Sequence, residues 1–172
     1  MSPRIAAIKN IAIIAALLGL AGYGIVRSRD ALRTGEEGAK IWFYDESEKR
    51  LYAAPSAAIP PHKGIGGESG DGVRAIVVTL GGEAAPKRIA YLQTYAPPLK
   101  SILDNAAAAH AAGKPFAGQP SPESDFFISN TLVRAEEDAL WHPLNSPEGR
   151  KASSQWRSWR GPQGEPPSIS VP

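Results

Sequence analysis

Apolar positions are spread very unevenly along this chain. Residues Ile11 to Val26 read IAIIAALLGLAGYGIV, sixteen positions without a charge. As a helix the run spans about 24 Å. Begun at Ile5, with Lys9 reaching back toward a polar surface, 22 residues span about 33 Å, against a hydrocarbon core of roughly 30 Å. Three readings compete. A cleaved signal peptide would find small residues at Gly19-Leu20-Ala21 or Gly22-Tyr23-Gly24, but both lie inside the apolar run. A buried core helix, apolar all round, has little neighbouring chain to cover it. We adopt the third, an uncleaved N-terminal membrane anchor over residues 1–26. It meets the lipid bilayer through residues 5–26, with Ile11, Ile14, Leu17, Leu18, Leu20 and Ile25 among its apolar positions.

Beyond the anchor the pattern changes period. Residues 27–40 carry seven charges and two Gly and read as a polar stalk. Three pairs of strand-like segments follow. Ile41 to Tyr44 and Arg50 to Ala53 flank the charged turn Asp45 to Lys49. Val73 to Leu80 and Arg88 to Tyr95 flank Gly81-Gly82. Phe126 to Ala135 and Ala139 to His142 flank Glu136-Glu137-Asp138. Aromatic and β-branched residues between turn clusters signal hairpins. Helical spacing covers 98–112, with Pro98 in the first turn, Leu99, Ile102, Leu103, Ala106, Ala107 and His110 on one face, and Gly113 as the stop. A second, shorter helix is expected from Pro147 to Arg160, with Ser146 as N-cap and Gly161-Pro162 beyond its end. Pro55 to Gly72 reads as irregular. Residues 161–172, with four Pro, read as a flexible, extended tail. The expected fold class is α+β: a small antiparallel sheet domain over 41–160, with the 98–112 helix packed on one face, behind a single transmembrane helix.

Charge sharpens this picture. Setting aside Arg4 and Lys9, the 19 basic residues fall to 17, equal to the 17 acidic ones, so the net +2 belongs to the N-terminal segment. A neutral folded part is not the electrostatic footprint of a nucleic-acid-binding domain. Without Cys there is no disulfide framework, thiol nucleophile or Cys-ligated metal. Positive charges flank the anchor on both sides, with Arg27, Arg29 and Arg33 after it. The short basic leader favours the N-terminus inside and the domain on the periplasmic side of a bacterial inner membrane.

Candidate chemistry is sparse. His62, His110 and His142 have no second ligand at metal-binding spacing. The loop Gly66-Gly67-Glu68-Ser69-Gly70 matches neither a nucleophile elbow nor a phosphate-binding loop. The acidic clusters at 45–48 and 136–138 read as solvated turns. In Trp42-Phe43-Tyr44, alternation gives two apolar faces, consistent with a strand covered on both sides. The most suggestive segment holds Arg150, Lys151, Trp156, Arg157, Trp159 and Arg160. Basic and aromatic residues interleaved in this way suit membrane head groups, an acidic partner protein or a nucleic-acid strand, the last disfavoured by the neutral folded part; the plainer alternative docks both Trp onto the sheet with the Arg in water.

The stretches Trp42-Phe43-Tyr44-Asp45, Leu51-Tyr52-Ala53-Ala54-Pro55, Ile59-Pro60-Pro61 and Gly72-Val73-Arg74-Ala75 resemble a set of uncharacterised single-span bacterial envelope proteins. Trp141-His142-Pro143-Leu144-Asn145-Ser146-Pro147-Glu148-Gly149 is similar to a W-x-P-x-N-S-x-E-G stretch in some of them. The resemblance implies a membrane-tethered small domain and brings no activity or cofactor. A pilin-like architecture also fits, but residues 5–26 lack the acidic position of a pilin helix. The expectation is a non-enzymatic accessory or scaffold subunit of a membrane complex, contacting a membrane or periplasmic protein and no nucleic acid or cofactor. The alternatives are a pseudopilin-like assembly subunit and a membrane-tethered hydrolase using the loop histidines.

Overall fold

The computed structural model describes residues 39–67, 70–82 and 84–172. The expected anchor over residues 1–26, the expected stalk as far as residue 38, and Glu68, Ser69 and Glu83 lie outside the described residues. Among the described residues, no helix is long and apolar enough to cross a membrane.

Residues 40–172 form an antiparallel sheet with short helices at its margins. Strands β1 (Lys40–Asp45), β2 (Arg50–Pro55), β3 (Gly72–Leu80), β4 (Lys87–Tyr95), β5 (Thr131–Arg134) and β6 (His142–Pro143) run in the order β2-β1-β3-β4-β5-β6. The first two hairpins thus form as expected, to within a residue or two. Lys40, expected in the stalk, opens β1. Gly81 and Gly82 both hold positive φ, 106° and 97°, which a turn between two long strands here requires and a residue with a Cβ resists.

The apolar triplet in β1 is covered on both faces. Tyr44 joins Val73, Ala75, Val77 and Leu92 in a buried cluster, with Trp42, Leu51, Ile89 and Trp141 packed against it. Phe43, fully buried, takes the other face beside the Tyr52 and His62 rings, with centroids at 5.9 and 4.6 Å. Burying a Phe or Leu side chain contributes about 1.5–3 kcal/mol, so a strand with apolar residues on both faces needs cover on both. The loop 56–71 supplies it for Phe43, through His62, whose amide and carbonyl pair with Gly72.

Several expectations change. Phe126 to Asn130 is helical, not extended: α2 (Asp125–Asn130) begins where the Ser124 hydroxyl oxygen accepts the Phe127 N–H at 3.2 Å, and the strand starts only at Thr131. A Ser-x-x cap with an acid in the first turn outweighs the β propensity of Phe-Phe-Ile. The segment Ala139 to His142 contributes only His142–Pro143 as strand. The helix expected over 98–112 is present as α1 (Pro97–Ala111), but only Leu99 on it is buried. It joins the domain through its first turn and its neighbour α2, and does not lie along the sheet.

The tail departs from expectation most. Pro167–Ile169 forms β7, antiparallel to β3, with Val78 opposite Ile169 and Leu80 opposite Pro167. β1 pairs with β3 only at Gly72–Arg74, so the far half of that edge is open to the tail. Ser170 N–H donates to the Val77 carbonyl at 2.8 Å. Removing residues 166–172 is expected to cost about 1–3 kcal/mol of stability, since the β3 edge loses ladder hydrogen bonds worth about 0.5–1.5 kcal/mol each. Chemical denaturation checks this, and hydrogen exchange should show the Ser170 amide protected well beyond that of Gly164.

Candidate functional site

Two buried charges lie at the ends of β1 and β5. Asp45 ends β1 and is inaccessible to solvent. Its Oδ1 accepts the Ser47 N–H at 3.1 Å, the Ser47 hydroxyl at 2.9 Å and the Glu48 N–H at 2.9 Å. Its Oδ2 accepts the Gly66 N–H at 3.1 Å, across 21 residues of sequence. The backbone donors of Glu48 and then Gly66 outweigh the effect of burial and hold the carboxyl at about 2, below its ordinary 3.8. Gly64 closes over this carboxylate so tightly that a Cβ there would overlap Oδ2.

Arg134 is the second. Its guanidinium donates to the carbonyls of Ala135 (3.2 Å), Glu136 (2.9 Å) and Asp138 (2.6 Å), closing the turn after β5 on itself. It also pairs with Glu46 of the first hairpin and lies 4.9 Å from the Trp141 ring centroid. Burial, followed by the nearby Glu136 carboxylate, pushes the Tyr44 hydroxyl up from its ordinary value. The acidic clusters read as solvated turns are therefore only partly so. Asp45 and Glu46 bind inward, while Glu137 and Asp138 are exposed.

The basic and aromatic segment is a helix followed by a tighter turn. α3 (Pro147–Ser154) passes into a 3₁₀ turn at Gln155–Ser158. Ser146 caps α3 as expected: its hydroxyl oxygen accepts the Gly149 N–H at 3.0 Å and its hydroxyl donates to the Pro143 carbonyl at 2.8 Å. A Cβ on Gly149 would overlap that same carbonyl oxygen. Ser146 and Gly149, two residues of the W-x-P-x-N-S-x-E-G resemblance, thus have structural work in the cap. Trp156 and Trp159 are half-buried; Arg150, Lys151, Arg157 and Arg160 are exposed. Trp159 stacks under Arg88 of β4, 4.5 Å from its centroid, and Trp156 donates its Nε1–H to the Ser153 carbonyl at 2.9 Å. The structure brings these six residues onto one short stretch, with the Trp rings turned inward and the cations outward.

The histidines do not converge. His62 lies beside Phe43 and Tyr52, His110 is exposed near the end of α1, and His142 begins β6. Among the described residues no group of three His, Asp or Glu side chains is placed to hold a metal ion. Sequence reading missed Asp45 and Arg134. The only local signal was the Asp-x-Ser-Glu turn pattern, with side-chain oxygen and backbone donors two and three residues apart.

Compared with known proteins, the sequence matches no family model, and neither a curated protein nor a solved structure matches the chain.

The depressed Asp45 pKa has a definite sign. Its stabilisation is complete above about pH 4 and lost as pH falls toward 2, because the unfolded state takes up the proton first. Asp45→Asn should abolish that segment of the pH–stability curve measured by urea denaturation, and lower stability at pH 7, since an amide nitrogen cannot accept the donors it would face. Gly64→Ala, crowding the same carboxylate, should cost about 1–3 kcal/mol by the same measurement.

Proposed function

We propose that this chain is a membrane-anchored, non-enzymatic envelope protein, an accessory or scaffold subunit of a larger membrane complex. The reading rests above all on the sixteen uncharged residues Ile11 to Val26, long enough with the preceding Ile5 to Asn10 to span a bilayer. They precede a sheet domain with a neutral charge balance. In this reading the bilayer holds residues 5–26 and the domain stands on the periplasmic side of a bacterial inner membrane. Its partner contact is the exposed rim of Arg150, Lys151, Arg157 and Arg160 around Trp156 and Trp159. Half-buried Trp with exposed Arg is a composition favoured at protein interfaces, where aromatic and Arg anchors supply much of the binding energy.

Anchoring is tested by washing membranes at alkaline pH. The full chain should remain in the pellet and require detergent for release. Leu17→Arg with Leu18→Arg, each adding about 2.5–3.5 kcal/mol to insertion, should shift it to the supernatant. Wild-type protein released without detergent would overturn the anchor. The subunit reading is tested by chemical crosslinking in intact cells and sizing after gentle detergent extraction. A stoichiometric companion is expected, with at least tenfold loss in Lys151→Glu/Arg157→Glu while the Tm stays put. A lone monomer under crosslinking would overturn it.

A further inference from the structure

A cleft of about 570 Å³ opens between the first hairpin, the start of β4, the turn after β5 and the residues following α3. Its apolar floor is Tyr44, Leu51 and Ile89, all part of the core or packed against it. Around that floor stand Lys49, Arg50, Lys87 and Arg88, contributed by two separate hairpins. Among the described residues the ion pairs are Lys100 with Asp104 and Arg134 with Glu46, so none of these four cations meets a carboxylate within 4 Å. The acids that line it are Glu136 and Glu137.

Two of these exposed cations lie over indole rings. Arg88 lies 4.5 Å over the Trp159 ring and Lys87 5.6 Å from the Trp42 ring, each indole coming from a different part of the chain. Cations held over indole rings are pre-oriented at some entropic cost. Lys49 has φ 54°, the left-handed conformation that glycine adopts without strain.

We propose that this cleft binds a phosphate-bearing ligand. Among the described residues that line it, cations exceed acids by two, which favours an anionic ligand. Guanidinium and ammonium groups together give forked hydrogen bonds and point charges to phosphate oxygens. The volume lies within the roughly 300–1,000 Å³ of small-molecule sites. A lipid headgroup and a soluble phosphoester share this chemistry, and the test separates them. The proposal does not rest on the accessory-subunit reading, since binding needs no partner protein.

Full-length protein in uncharged maltoside micelles is titrated with pyrophosphate by calorimetry. Saturable binding is expected, weakened at least tenfold by Lys87→Gln/Arg88→Gln. Lys49→Gly should weaken it as well without lowering the Tm, which separates loss of the site from loss of the fold. The titration is repeated in phosphatidylcholine nanodiscs with and without phosphatidylglycerol. Apparent affinity lowered by phosphatidylglycerol beyond the effect of an equal surface charge of fatty acid supports the site and names the headgroup; no further lowering supports the site and names a soluble phosphate. No saturable binding, or binding unchanged in both variants, overturns the proposal.

Discussion

A carboxylate closed off from water at the end of β1 must find donors within its own fold. Asp45 finds them in two places: its own turn, through Ser47 and Glu48, and the loop after β2, through Gly66. An ionised group stripped of water is costly unless its lone pairs are occupied. That requirement forces the loop 56–71 to fold back over the hairpin and not to trail into solvent. Once it folds back, His62 lands on Phe43 and pairs with Gly72, which sets where β3 begins. The start of the central strand thus depends on a hydrogen-bonding demand that originates in β1.

Arg134 plays the complementary part across the sheet. It gathers three carbonyls of its own turn, the Glu46 carboxylate and the Trp141 ring, so the first and last hairpins are joined although they are far apart in strand order. The Arg134 side chain is mostly buried while that of Glu46 is 31% exposed, so the pair fixes the position of the two turns more than it adds net stability. Lys49 and Arg50 follow the turn that Asp45 closes, and Glu136 and Glu137 stand in the turn that Arg134 closes.

Strand pairs with strong alternation were legible. Trp42-Phe43-Tyr44 and Val73 to Leu80 carry enough β-branched and aromatic residues that no other element suits them, and Ser146-Pro147 marked the start of α3. Phe126 to Asn130 was misread because β propensity and a Ser124 cap pointed in opposite directions, and the cap prevailed. The tail was misread because Pro-rich composition says only that a segment will not form a helix or central strand. Whether an edge waits for it depends on how far β1 runs along β3.

The residues of this chain by themselves determined its two-period organisation: a long uncharged run, then alternating strands with turn residues between them, and a capped helix. Those features depend on neighbours a few positions apart, where sterics, propensity and side-chain caps act directly. Tertiary structure alone decided that Asp45 is buried, that Pro167–Ile169 completes β3, and that cations from two hairpins share one cleft. Each of these joins positions separated by 20 to 90 residues, and only the closing of the sheet brings their atoms within hydrogen-bonding or Coulombic range.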